Sequence, residues 1–211
     1  MNRTIDTVLF VLLGWLLGIL GTVIVDAIKY QREIRGIRAA LRIELGELCH
    51  RLAWAAFVTK LKLGEVDKAF LQRAYSAVES YKGDDLPGVD MEQLESWLTL
   101  SEGDLRAVMV KAQAVKGQAW SVRKYAVPLL DSNLARLGFD NRFQSQLLVI
   151  RTHLSTLDEL VDDTRCFIRL MFDSSLSPGS RDAVECNLKE SYRAYAPGAM
   201  LIADRISQIP W

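Results

Sequence analysis

The sequence contains few of the residues that usually bind metals, form disulfides or break helices. It has two histidines, three cysteines and five prolines among 211 residues. The cysteines, at Cys49, Cys166 and Cys186, are widely spaced and include no Cys-x-x-Cys pair, which is typical of a reducing compartment. We therefore expect each cysteine to be a small buried hydrophobic residue. No Walker loop or Gly-x-Gly-x-x-Gly sequence is present, and we predict no bound cofactor.

An excess of either charge is also missing. The 26 lysines and arginines balance the 26 aspartates and glutamates, whereas a protein that binds a nucleic-acid duplex normally carries a basic excess. We therefore expect no direct binding to a nucleic-acid duplex. Alternating strand-like patterns are absent outside the segment 7–25, and half of the residues are hydrophobic. The sequence therefore predicts an ordered, all-α fold.

Charged residues are wholly absent from the segment 7–25, TVLFVLLGWLLGILGTVIV, which lies between Asp6 and Asp26. A helix rises about 1.5 Å per residue, so this segment would be about 28 Å long and would match the hydrocarbon core of a bilayer. A secretory signal peptide needs a more basic start, a shorter apolar core and a small-residue cleavage site, which this sequence lacks. The sequence therefore predicts a single N-terminal membrane anchor, at 1–28.

Basic residues follow the predicted anchor and predict its orientation. Before Glu44 only Glu33 opposes them, and those nearest to the span are Lys29, Arg32, Arg35 and Arg38. Because lysine and arginine are enriched on the cytoplasmic side, we predict an inner-membrane protein with its N-terminus outside and its C-terminal domain in the cytoplasm. The same residues could contact anionic lipid head groups, or they could serve topology alone.

After the anchor, apolar residues recur every three or four positions, as they do in amphipathic helices. The first such stripe, from Ile34 to Ala55, contains no strong helix breaker, so we predict one long helix over 29–64 that continues from the anchor. The remainder, 65–211, is predicted to complete an antiparallel helical bundle. Its predicted helices lie at 67–82, 91–126, 140–171, 181–195 and 199–207, with a short helix and turn at 128–138 and loops at 83–88 and 174–180. The stretch 91–126 is predicted to be either one kinked helix or two helices, at 91–100 and 102–126.

Small residues occupy one side of the predicted anchor. Gly14 and Gly18 have the Gly-x-x-x-Gly spacing that lets two membrane helices approach closely, and Gly21 and Thr22 extend the same face. We predict a homo-oligomer that forms through the anchor and the first helix. Glycine is also common in membrane helices that have no such role. The span contains no ionisable residue, which excludes a proton relay inside it.

One face of the first long helix carries the residue types of a metal site. Glu47 and His50 have Glu-x-x-His spacing, and Glu44 lies one turn earlier. A carboxylate-bridged di-iron bundle needs a second such pair, however, and His153 has Ile150 at the corresponding position. We therefore predict no metal site.

Acidic residues concentrate on the predicted helix over 140–171. Asp158 and Asp162 share one face, as do Glu159 and Asp163, because the residues of each pair are four positions apart. Arginines follow within two turns of these acids. We expect a solvated or salt-bridged face rather than a cation site.

Basic and aromatic residues are interleaved in the predicted helix over 102–126. Such residues bind phosphates and nucleotides by charge and stacking. The candidates for binding an anionic small-molecule signal are Lys111, Lys116, Trp120, Arg123 and Lys124. Their spacing distributes them over more than one face of a helix, which weakens this prediction.

The sequence shows no catalytic set of residues. Cys49 and His50 are neighbours, and neighbours on a helix point about 100° apart, so they do not form a thiol–base pair. One span followed by a helical cytosolic domain is the layout of membrane adaptors, assembly factors and small membrane effectors of bacterial immune systems, although layout does not determine function. We hypothesise a non-enzymatic membrane protein that senses a ligand or binds a protein partner and self-associates, as a signal-gated effector in antiphage immunity. The alternatives are a passive scaffold that recruits a protein to the inner membrane and, more remotely, a membrane-surface enzyme.

Overall fold

The computed structural model describes residues 3–79, 91–114, 122–132 and 139–211, and for residues 3–11 and 112–114 it describes the backbone. These ranges contain seven α-helices and no strand, which confirms the predicted all-helical fold. The helices are α1 (Arg3–Leu63), α2 (Lys68–Glu79), α3 (Met91–Thr99), α4 (Glu102–Ala114), α5 (Pro128–Asp131), α6 (Asn141–Met171) and α7 (Pro178–Ser207).

Helix α1 is 61 residues long, and its N-terminal part is apolar. By length and composition α1 could cross a membrane, and its side chains from Leu12 to Val25 are exposed. The helix ends at Leu63, one residue before the predicted boundary. Gly64 follows with a φ of 69°, a left-handed conformation that glycine adopts without a steric cost, and its N–H donates to the Leu61 carbonyl at 3.0 Å.

The chain divides into two compact units, residues 1–40 and 41–211. The described part of the first unit is α1 alone. The second unit contains the hydrophobic core, to which α1 contributes a stripe with the predicted helical spacing. In this stripe Leu41, Leu45 and Leu52 are fully buried, so this part of the predicted periodicity is confirmed.

Helices of the second unit pack around that stripe. Helix α6 packs along α7, α2 packs on α3 and α7, and α5 packs on α6. The buried Cys49 thiol on α1 donates to the Ala203 carbonyl on α7 at 3.4 Å. At the end of the chain, Trp211 meets the ring of Phe143 edge-on, with 5.7 Å between centroids. The C-terminal aromatic residue therefore packs on the helical domain.

Side-chain caps begin several helices at the positions that the sequence predicts. The Asp67 carboxylate accepts from the N–H of Phe70 at 2.7 Å, and the Asp140 carboxylate accepts from the N–H of Phe143 at 2.8 Å. The Ser101 hydroxyl accepts from the N–H of Asp104 at 3.2 Å. Each contact satisfies an N–H that has no partner within its own helix, which is why these residue types start helices.

The predicted division of the last helix is wrong. Helix α7 continues through Pro197, and it begins at Pro178 rather than at Arg181. Ser177 caps its first turn, where proline is well tolerated because the first N–H groups of a helix have no partner in any case. Near Pro197, a Cβ on Gly198 would lie 3.4 Å from Leu157 Cδ1 on α6. This close packing holds α7 against α6 although proline removes one helical hydrogen bond.

The predicted helix over 102–126 is also wrong at its C-terminal end. Helix α4 is described to Ala114, residues 115–121 lie outside the described part of the chain, and residues 122–127 are not helical. The predicted loop at 83–88 lies outside the described residues. So do the last residues of the predicted helix over 67–82 and most of the predicted turn before Gly138.

The cysteines do not share one environment. Cys49 is buried as expected, but Cys166 and Cys186 are exposed, so the prediction is wrong for those two. Cys166 comes two positions after the buried Thr164, and Cys186 comes two positions before the buried Leu188. Two positions correspond to about 200° around a helix, which turns both thiols away from the core.

Candidate functional site

A short segment crosses the helical domain and brings together several of the predicted residues. We call residues 122–132 the strap: it consists of the irregular residues 122–127, helix α5 and Ser132. Val122, Val127 and Leu130 of the strap are buried, whereas the side chains between them are exposed or half-buried. The strap is therefore attached to the core by three apolar side chains.

Glu44 on α1 is the principal polar contact of the strap. Its two carboxylate oxygens accept from the N–H groups of Leu129 and Leu130, each at 3.0 Å. These N–H groups belong to the first turn of α5, where the helix itself offers no acceptor. A charged acceptor makes each hydrogen bond stronger than a neutral one.

The two other residues of the predicted Glu-x-x-His face have separate partners. Glu47 forms an ion pair with Arg51, with 2.5 Å between Oε1 and Nη2. The Nδ1 atom of His50 lies 3.0 Å from the carbonyl oxygen of Val78. Within the described ranges no group of three or more histidine, cysteine or acidic side chains could hold a metal ion. Glu44, Glu47 and His50 therefore do not converge.

Two ion pairs join the strap to α6. Lys124 Nζ lies 2.5 Å from an Asp162 carboxylate oxygen, and Asp131 lies 3.2 Å from Arg151 Nε. All four side chains are roughly half exposed. Exposed pairs of this kind contribute about 0–1 kcal/mol each, so the ion pairs position the strap more than they stabilise it.

The predicted basic and aromatic ligand set is divided between elements. Lys111 is exposed on α4, and Arg123 is exposed on the strap beside Lys124. Lys116 and Trp120 lie outside the described residues. Because the prediction assumed one helix over 102–126, its geometric premise is wrong, and ligand binding by these residues stays a prediction.

The acidic face of α6 is partly salt-bridged. Asp162 contacts Lys124 and also Arg165, the latter at 3.9 Å. Asp158 is half-buried, and its burial raises the pKa of its carboxyl group, an effect that the nearby Lys124 opposes. Asp163 and Glu159 are exposed. The strap therefore covers the side of the acidic face that Asp158 and Asp162 share.

A polar cluster around the buried Tyr195 side chain lies where α1, α6, α7 and the strap meet. The Tyr195 hydroxyl on α7 and the Arg51 Nε on α1 are both buried, and neither has a hydrogen-bond partner among the described residues. Burial raises the pKa of Tyr195, and the nearby Tyr125 and Asp158 raise it further. Burial also raises the pKa of Tyr125 on the strap, while Arg51 lowers it. Each of these residues lies close enough to its neighbours to affect their ionisation.

Sequence reasoning missed this cluster. Tyr195 follows the buried Leu188 and Ser191 at helical spacing, so its burial was predictable. The position of the Tyr125 side chain was not, because it depends on the path of the strap. We define the Tyr195 cluster as Arg51, Tyr125, Asp158 and Tyr195.

A cleft lies beside the strap, between α5 and α6. Its volume is about 340 Å³, at the lower end of the range that holds small ligands. Arg151 lies on its wall, but its guanidinium group is engaged by Asp131. The cleft therefore presents one partly neutralised charge.

The predicted helix-contact residues of the span are exposed. A Cβ on Gly14, Gly18 or Gly21 would meet nothing within 4 Å. Thr22 is also exposed, and its hydroxyl donates to the Ile19 carbonyl at 2.8 Å. Of the predicted head-group residues, Lys29, Arg32 and Arg35 are exposed and Arg38 is half-buried.

Comparisons with known proteins offer no assignment. No protein-family model, no curated protein and no solved structure matches the chain. The function is therefore argued from the residues and their positions.

Proposed function

We propose that the protein is a non-enzymatic, single-pass membrane protein whose helical domain senses a ligand or binds a partner, and which self-associates through its anchor. The main support is the exposed apolar surface of α1 from Leu12 to Val25, where ten large hydrophobic residues are each more than a third exposed. A continuous apolar surface of this kind is typical of membrane or protein contact. The same helix then supplies Leu41, Leu45 and Leu52 to the core of the helical domain.

The basic residues after the span support an orientation with the C-terminal domain in the cytoplasm of a bacterial cell. Lys29, Arg32 and Arg35 are exposed, so they are accessible to anionic head groups. The orientation is tested with epitope tags at each terminus and protease added to intact spheroplasts. We expect loss of the N-terminal tag and protection of the C-terminal tag. The opposite pattern would contradict the orientation.

The proposed signal is an anionic small molecule, for which Lys111, Arg123 and Lys124 are the described candidates. In the effector version of the proposal, ligand binding changes the association of the anchors and so acts on the membrane in antiphage defence. The test measures thermal unfolding of the full chain in detergent with a panel of nucleotide second messengers. A ligand that binds the native state alone must raise the unfolding temperature. No shift across the panel would favour a passive scaffold.

Self-association through the glycine face is tested by replacing Gly18 with isoleucine. The change puts a branched side chain where Gly-x-x-x-Gly packing needs close contact, so we expect the oligomer to dissociate to monomers in detergent. Mass measurement by light scattering of the full chain is the readout. Gly36→Ile is the matched control, because Gly36 lies on the same helix outside the apolar span and also has open space around it. An unchanged mass for Gly18→Ile would contradict the glycine contact.

A further inference from the structure

The strap and the helices beneath it differ in how firmly they are held. Helices α6 and α7 have 31 and 30 residues and pack along each other. The strap has one helix of 4 residues, and two backbone hydrogen bonds close it, from Asp131 N–H to Val127 O and from Ser132 N–H to Pro128 O. Short segments with few internal hydrogen bonds are the ones that open without global unfolding.

The Tyr195 hydroxyl provides a reason for the strap to open. Tyr195 is fully buried, and its hydroxyl has no partner among the described residues. A buried hydroxyl that has lost water without gaining a hydrogen bond destabilises the arrangement that encloses it. Arg51 differs from Tyr195, because its side chain is 42% exposed and its guanidinium group is paired with Glu47. An opening that admits water to Tyr195 gives its hydroxyl group hydrogen-bond partners.

Among the elements beside the Tyr195 cluster, the strap contains the shortest helix. Tyr125 on the strap lies near Tyr195, and Lys124 and Asp131 on the strap lie near Asp158. Its side-chain ion pairs to α6 are half exposed. Its strongest polar attachment is therefore the Glu44 carboxylate, which accepts from two N–H groups of α5.

We propose that the strap is a lid, latched by Glu44, that opens while the helical bundle remains folded and thereby exposes the Tyr195 cluster. The open form presents the Tyr195 hydroxyl to solvent and increases the exposure of Tyr125 and Asp158, which are half-buried in the closed form. This inference goes beyond the proposed function and holds whether the domain is a sensor or a scaffold. A ligand of the helical domain could act on the balance between the closed and open strap.

The latch is tested by amide hydrogen exchange of the full chain in detergent, with Glu44→Gln as the variant. Glutamine lacks the charge and the second acceptor oxygen, so we expect peptides covering 123–131 to exchange about tenfold faster. Amides of α6 and α7 should change less than about twofold, since the bundle stays folded. Glu185→Gln is the matched control, because it removes a carboxylate from an exposed ion pair with Lys189 on α7.

The lid is contradicted if amides in the strap exchange only as slowly as the core of α7 and do not respond to Glu44→Gln. In that case the strap opens only when the whole domain unfolds. Lys124→Gln provides a second, milder variant at an exposed position, and we expect a smaller acceleration confined to the same peptides. Acceleration spread over all helices in both variants would equally contradict the lid.

The connection with Tyr195 is tested by Tyr195→Phe. Phenylalanine has no hydroxyl to hydrate, so opening the strap costs more free energy in this variant. We therefore expect amides of the strap to exchange about fivefold more slowly. Tyr75→Phe is the control, since Tyr75 lies on α2. Unchanged exchange in Tyr195→Phe would mean that strap opening does not expose the hydroxyl, which would contradict this part of the proposal. The Glu44→Gln experiment tests the latch independently.

Discussion

Replacing Phe57 by alanine is expected to lower the free energy of unfolding by about 3–5 kcal/mol. Phe57 on α1 is fully buried, and its ring lies 5.3 Å from that of Trp54 and 5.5 Å from that of Trp97. The substitution removes the apolar area and leaves a cavity between two large aromatic side chains. Chemical denaturation of the full chain in detergent, followed by tryptophan fluorescence, gives the measurement.

Ile43→Ala is the matched control for this prediction. Ile43 lies on the same helix, but it is 65% exposed, so its truncation should change the free energy of unfolding by no more than about 0.5 kcal/mol. Equal effects of the two substitutions would mean that the α1 stripe does not form the core. A small effect of Phe57→Ala alone would mean that neighbouring side chains fill the cavity.

Replacing both Leu13 and Leu17 by arginine is expected to abolish membrane insertion. Each arginine near the centre of a span costs about 2.5–3.5 kcal/mol on insertion scales, and the favourable contribution of a leucine is lost at each position. Both residues are exposed on α1, so the change does not disturb the core of the helical domain. Alkaline carbonate extraction of cell membranes followed by immunoblotting measures the fraction of the protein that stays in the membrane. We expect only a small part of the variant to be retained.

The control introduces the same two arginines at Ala39 and Ala40. These positions are exposed on α1 and lie outside the apolar segment, among residues that are already basic. We expect full retention in the membrane. If the Leu13 and Leu17 variant resisted extraction as well, the apolar segment would not be the anchor, and the proposed topology would be wrong with it.

Local signals in the sequence predicted most helix starts and the core face of α1. Asp67, Ser101 and Asp140 each place a side-chain acceptor beside N–H groups that the helix leaves unpaired, and this depends on residues only three positions apart. The buried stripe from Leu41 to Leu52 follows from the helical period alone. Both signals act over one or two turns, so they can be read without knowing the rest of the fold.

Long-range packing overrode local signals elsewhere. The sequence Pro197-Gly198 predicted a break between two helices, yet α7 continues through both residues, and Gly198 lies close to Leu157 of α6. The sequence pattern before Pro128 predicted a helix, yet residues 122–127 are irregular, and Val122 and Val127 are buried. Helix propensity is worth a fraction of a kcal/mol per residue, and burial of one large side chain exceeds it.

The candidate site shows the same division. Glu44 shares a helix face with Glu47 and His50, and the sequence predicted no metal site there. Its partners are backbone groups at Leu129 and Leu130, far along the chain. A carboxylate binds the nearest strong donors, and sequence spacing on one helix contains no information about which other segment supplies them.

The sequence by itself determined the helical class, the apolar segment of α1, the buried α1 stripe and the capped helix starts, because each depends on residues within a few turns of one another. Only the tertiary structure decided the continuity of α7, the path of the strap, the role of Glu44 and the burial of the Tyr195 hydroxyl without a partner. Those features depend on contacts between α1, the strap, α6 and α7. Such contacts are selected by the packing of the whole domain rather than by the preference of any one segment.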